Sequence, residues 1–178
     1  GSGVTVRKVV STDSAAGTAF NGDVITYTII VNNNSPVTIT DLVLLDVLPE
    51  NVLDSVRCLD PQNISPCGLI EETRQVPEPL GGTLTVTTTR QISWTIPALA
   101  ANGSLQRSFA ARVVGQGDGA SFVNVAYLGY FVNGRPETEQ SNDLLLRVLL
   151  RIDEGGTTIL SDTPTWFSED VGGTLSMD

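Results

Sequence analysis

The sequence predicts an all-β chain folded as an antiparallel β-sandwich, on three observations. Apolar and polar residues alternate with period two along most of its length. The alternating segments are rich in Val, Ile, Thr and aromatics, with clusters of Gly, Asn, Asp and Pro between them. No segment carries a helical period of useful length. Eight or so short strands spaced by turn formers make the layout of an immunoglobulin-like sandwich.

Taken in order, the expected strands begin with VTVRKVV (4–10) and VITYTIIVN (24–32), separated by the turn Phe20-Asn21-Gly22-Asp23. The run Asn32-Asn33-Asn34-Ser35-Pro36 turns the chain into ITDLVLLDVL (39–48). TLTVTTT (83–89) follows Gly81-Gly82, QISWTIP (91–97) comes next, and Asn102-Gly103 leads into LQRSFAARVV (105–114). After Gly115 to Gly119 come SFVNVAYLGYFV (121–132) and NDLLLRVLLRI (142–152), with FVNGRPE as a hairpin turn between these last two long strands. Trp94 and Phe109 lie on strand faces and are expected to fill the core. Residues 60–82 read as an irregular Pro/Gly-rich insertion. The sandwich is expected to span residues 1–152; the opening Gly-Ser-Gly carries no structural weight.

Residues 153–178 form an acidic C-terminal extension with six acids and no Lys or Arg. It keeps apolar patches at Ile159-Leu160 and Trp166-Phe167, which a purely disordered tail rarely does. The extension is therefore expected to dock as an extended segment, on its own domain or on a neighbouring subunit. Strand addition to a sheet edge is the physical route, and a contact between subunits that does not close gives a head-to-tail polymer.

Composition excludes several functions. A net charge of −10 leaves no basic patch to meet phosphates, so no nucleic-acid partner is expected. No apolar run approaches a membrane span. Histidine is absent, which removes the commonest general base near neutral pH and the commonest zinc ligand. Acidic turns around Asp23 and Asp118 lack the ligand density of a calcium loop, and neither a metal nor a cofactor is expected. The two cysteines, Cys58 and Cys67, flank a Pro-containing loop; a local disulfide fits best and implies an oxidising, extracellular compartment, against the alternative of two separate buried thiols. Asn33-Asn34-Ser35, Asn63-Ile64-Ser65 and Asn102-Gly103-Ser104 match the glycosylation acceptor pattern.

The stretch NGDVITYTIIVNNNSPVTITDLVLLDVLPENV, followed by QISWTIPALAANGSLQRSFAARVV and FVNVAYL, resembles the conserved repeat domain of bacterial and archaeal surface proteins, domain of unknown function eleven. The resemblance runs over about residues 4–150 and omits the insertion and the tail. It implies an immunoglobulin-type sandwich used in stalks or surface layers. The layout is also similar to the isopeptide-forming domains of fimbriae and collagen adhesins. There a first-strand Lys joins a late-strand Asn while a mid-domain acid promotes the joining; the matching positions are Lys8, Asp46 and Asn124.

Strand parity places all three on apolar-facing registers. Lys8 aligns with Val4, Val6 and Val10, Asp46 with Leu42, Leu44 and Leu48, and Asn124 with Phe122, Ala126 and Leu128. Lys8 is the only lysine, while nine arginines serve elsewhere. Asn142, in register with Leu144, Leu146 and Val148, is a reserve acceptor. Three readings stay open: a covalent Lys8–Asn124 bond, a noncovalent buried cluster, or unrelated positions in which Lys8 snorkels from a strand edge.

The expected function is a structural component of an extracellular cell surface, a filament or pilus-like subunit or a stalk module. Its partners would be other copies of itself or neighbouring surface modules. A ligand-binding adhesin module using the 60–82 loop is the alternative. An enzyme with turnover comes last, since no nucleophile–base pair or phosphate loop is visible.

Overall fold

The computed structural model describes residues 3–49, 52–60, 67–77, 84–115, 117, 119–149, 151–152 and 158–159. Every regular element among them is a strand: β1 (Val4–Ser11), β2 (Thr18–Phe20), β3 (Val24–Asn33), β4 (Ile39–Leu48), β5 (Leu53–Cys58), β6 (Gly68–Pro77) and β7 (Leu84–Leu99). The chain continues with β8 (Ser104–Val113), β9 (Ser121–Asn124), β10 (Ala126–Val132), β11 (Arg135–Gln140), β12 (Leu144–Leu149), β13 (Arg151–Ile152) and β14 (Thr158–Ile159). No helix of the described residues is long and apolar enough to cross a membrane.

One sheet has the order β1-β3-β8-β5 and the other β11-β10-β4-β7-β6, while β2-β12-β9 forms a smaller third sheet. All pairings are antiparallel except β2 with β12, which run parallel. The core lies between the two large sheets because period-two alternation buries one face of each strand. Ile25, Tyr27, Ile29 and Val31 of β3 face Ile92, Trp94 and Ile96 of β7 within one apolar cluster. Trp94 and Phe109 meet across it with ring centroids 6.3 Å apart, and Tyr27 stacks on Phe109 at 5.2 Å.

In β4 the alternation changes phase. Asp41 takes a positive φ of 51°, and the ladder with β10 passes from Val43–Gly129 to Thr40–Phe131 across it, a bulge of three residues of β4 against two of β10. This irregularity lets Ile39 and Leu42 both turn inward, three residues apart, and sets the parity that buries Asp46.

Several expected boundaries move. The insertion expected to be irregular is a strand over 68–77, because β6 pairs residue by residue with β7. An edge strand needs no continuous apolar face, so the polar run Glu71-Glu72-Thr73-Arg74 concealed it. The strands expected at 83–89 and 91–97 are one strand continuing through Arg90. Asn133 and Gly134 both have positive φ, as a tight hairpin turn requires, but the hairpin joins β10 to β11 rather than to the 142–152 segment. β11 is a polar edge strand, RPETEQ, which apolar alternation could not reveal. The long strand expected at 121–132 breaks at Val125, where the chain leaves β12 as partner and joins β4.

Beyond the sandwich, Thr158–Ile159 pair with Arg151–Ile152 as a short antiparallel contact within the chain. Leu160, Trp166 and Phe167 lie outside the described residues, as do 61–66 and 78–83 of the insertion.

Candidate functional site: a buried Lys–Asp–Asn cluster

The break at Val125 creates the site. Asn124, the last residue of β9, pairs with Leu144 of β12, and two residues later Ala126 pairs with Asp46 of β4. A residue that ends one sheet is thereby brought beside a carboxylate in the middle of another. Lys8 arrives from β1, the edge strand of the opposite sheet, on the face shared with Val4 and Val6.

All three side chains are enclosed: Lys8 is 1% exposed, Asp46 0% and Asn124 1%. Lys8 therefore does not snorkel. Its Nζ bonds Asp46 Oδ2 and lies over two aromatic rings, 4.5 Å from the Tyr27 centroid and 5.6 Å from that of Phe109. The ring faces offset some of the lost hydration of a cation. They do not replace it: burial pushes the Lys8 amine down to about 8, against the opposing pull of Asp46. Burial likewise pushes the Asp46 carboxyl up, opposed by the charge and hydrogen bond of Lys8. Both shifts favour the neutral amine and the neutral acid, the protonation pair that amide chemistry requires.

Asn124 differs from Asn33, another buried asparagine of the sandwich. Asn33 is saturated: its Nδ2 donates to Val37 O at 2.8 Å, Leu99 O at 3.1 Å and Ala100 O at 3.1 Å, and its Oδ1 accepts from Ser35. That is a structural asparagine, and its burial removes it from the surface where a glycosylation acceptor must lie. Asn124 makes no hydrogen bond through either amide atom, and Asp46 Oδ1 is unpaired as well. Each unpaired buried polar group costs roughly 1–3 kcal/mol. Their clustering is a feature that structure alone does not repay.

Asn142 has another role. Its Oδ1 accepts from the Lys8 backbone N–H at 2.9 Å and its Nδ2 donates to the Lys8 carbonyl at 3.1 Å. The carboxamide thus imitates a neighbouring strand along the exposed edge of β1 and fixes Lys8 in place. Beside it, Ser141 Oγ accepts from the N–H of Ala126 at 2.9 Å, which fixes the start of β10 next to Asn124. Residues 141 and 142 thus hold the backbone at Lys8 and at Ala126.

On the opposite edge of the sheet from β1, Cys58 closes β5 and Cys67 immediately precedes β6 in the other sheet, and the two are joined in a disulfide. Asp60, just after Cys58, accepts from the Trp94 indole N–H at 2.9 Å and from the Ser108 N–H. The crosslink and this carboxylate both bridge the sheets; sequence reading missed Asp60, whose only signal was its closeness to Cys58. Replacing both cysteines by Ala is expected to cost about 2–3 kcal/mol, the range for a short closed loop. Urea unfolding measures it, and thiol labelling of the denatured, unreduced wild type should find no free sulfhydryl. An unchanged urea midpoint would show that the crosslink adds nothing.

No family model matches the chain, and no curated protein does, so the resemblance to the surface repeat domain stands on its motifs. Solved structures do match. BcpA, the major pilin subunit of Bacillus cereus, is similar over 88% of this chain and 45% of its own, at 10% identity and a TM-score of 0.51. The major pilin SpaD of Corynebacterium diphtheriae matches over 80% and 34%, at 12% identity and a TM-score of 0.47. An uncharacterized protein of Nocardia farcinica with an immunoglobulin-like fold matches over 80% and 98%, at 15% identity and a TM-score of 0.45. The chain spans less than half the length of either pilin. At such identity the likeness to BcpA is one of fold alone, an all-β architecture of antiparallel sheets.

Proposed function

We propose that this domain is a force-bearing structural module of an extracellular surface, a pilus-like subunit or stalk module, internally crosslinked between Lys8 and Asn124. The observation that carries the proposal is the enclosure of the only lysine, an aspartate and an unbonded asparagine in one apolar core.

The chemistry runs in one direction and once. The proton of the Lys8 ammonium moves to Asp46, leaving a neutral amine beside a neutral acid. The amine nitrogen attacks Asn124 Cγ, and the carbonyl π-electrons move onto Oδ1. The proton then lost by the attacking nitrogen passes through Asp46 to Nδ2; the Cγ–Nδ2 bond breaks and ammonia leaves. An amide joins Lys8 to Asn124, and Asp46 is left protonated against it. Fixed placement in the core supplies the entropy that a bimolecular aminolysis would lack, and Asp46 acts as general acid and base. Nothing turns over, so this is self-modification and not an enzyme activity.

Mechanics supports the same reading. β1 is the first strand and β9 pairs with β12, the last strand of the sandwich. A bond from Lys8 to Asn124 would carry tension between the two ends of the domain without peeling β3 from β8. Intact mass tests the proposal: the folded wild type should be lighter than its sequence mass by one ammonia, and Lys8→Ala should keep the full mass. A wild type at full sequence mass would end it.

A further inference from the structure

Among the described residues, the buried polar side-chain atoms without a hydrogen bond are Tyr27 Oη, Asp46 Oδ1, both amide atoms of Asn124, and Arg107 Nε. Four of these five belong to one site. Tyr27 is wholly buried on β3, its ring under the Lys8 amine and stacked on Phe109. For packing alone a phenylalanine would serve better there, as Phe109 does beside it, because a buried hydroxyl without a partner costs roughly 1–3 kcal/mol. The hydroxyl and the Asn124 amide are left unpaired in the same enclosed core, on either side of the Lys8–Asp46 pair.

We propose that Tyr27 is the fourth member of the crosslinking site, its hydroxyl donating a hydrogen bond to Asn124 Oδ1 as negative charge develops there during attack by Lys8. This rests on the crosslinking reading above and deepens it. No proton is transferred from Tyr27; the O–H stays intact and stabilises the oxyanion of the tetrahedral intermediate, then the carbonyl of the finished amide. Burial raises the phenol well above its ordinary range, so it stays a neutral donor at any pH at which the domain works. Asp46 alone would have to both polarise Oδ1 and carry the proton to Nδ2. A second donor frees it for the proton. The unpaired state of the Tyr27 hydroxyl in the unreacted arrangement fits a donor whose partner is the oxyanion and not the ground-state carbonyl.

The test follows the full chain released from a timed cell-free synthesis, quenched at intervals and weighed intact. Tyr27→Phe, which keeps the ring, should lose ammonia about a hundredfold more slowly than wild type, the effect of removing one oxyanion donor. Incorporating 3-fluorotyrosine at position 27, a more acidic phenol of nearly the same shape, should hold the rate at or above that of wild type. A merely structural role would not order the variants by hydrogen-bond acidity. Ammonia loss from Tyr27→Phe at the wild-type rate would overturn the role of Tyr27 and leave the crosslink standing. A wild type that loses no ammonia would overturn both.

Discussion

Asp46→Ala is expected to leave the chain at its full sequence mass and to destabilise the domain more than any other single substitution at the site. Two losses combine. Without the carboxyl group nothing takes the proton from the Lys8 amine and relays it to Nδ2, so the crosslink does not form. Closing a loop on the order of 100 residues is worth about 4.7 kcal/mol in the chain-entropy account. The amine of Lys8 is also left in the core facing only rings, and an uncompensated buried charge costs about 3–5 kcal/mol. Together these approach the whole stability of an ordinary domain, about 5–15 kcal/mol. The single variant can therefore fail to fold, and a second is needed. Lys8→Met with Asp46→Leu removes both charges and keeps the apolar volume. It should recover the buried-charge part of the loss and none of the crosslink part. Urea midpoints of the two variants and wild type decide it. A double variant no more stable than Asp46→Ala would show that the buried charge was not the cost.

The same cluster shows which features a sequence discloses. Lys8, Asp46 and Asn124 were legible because strands have period two, so one polar residue among apolar neighbours of the same parity is visible without a structure. The bulge at Asp41 did not mislead, since it lies before Leu42 and leaves the register of 42–48 intact. The edges were not legible. β6 and β11 are recognised by the strands they pair with, and Glu71-Glu72 or Glu137-Thr138-Glu139 carries no apolar stripe of its own. Asn142 also escaped. Its register with Leu144 and Leu146 suggested a side chain aimed at the lysine amine, whereas the carboxamide turns to the Lys8 backbone. That partnership depends on which edge of β1 is exposed, a property of the topology. Tyr27 had a signal that went unread: it shares parity with Ile25, Ile29 and Val31, so its hydroxyl had to lie in the core.

Asn124→Ala isolates the crosslink from the charges that make it. This variant keeps Lys8 and Asp46 but offers the amine no acceptor, so it should hold its full expected mass and unfold about 4–5 kcal/mol more easily than wild type. Its stability should also depend on pH in a way the crosslinked protein cannot share. The Lys8 amine lies at about 8 in the fold against 10.5 ordinarily. Between those values the unfolded chain binds the proton that the folded chain has released, so stability rises with pH across the window, by on the order of 3 kcal/mol. Below about 8 the cost of a charged, buried amine is fully present. The raised Asp46 acts oppositely at the acid end: the folded chain holds a proton that the unfolded chain has lost, and stability falls as pH rises from 3.8 to the folded value. Asn124→Ala should therefore show a trough of stability between an acid and an alkaline rise. In the crosslinked wild type the amine has become an amide that does not titrate, and the alkaline rise disappears. Urea unfolding of both proteins from pH 4 to about 10.5 reads this directly. An alkaline limb of equal height in both would mean that Lys8 is still a free amine in the wild type.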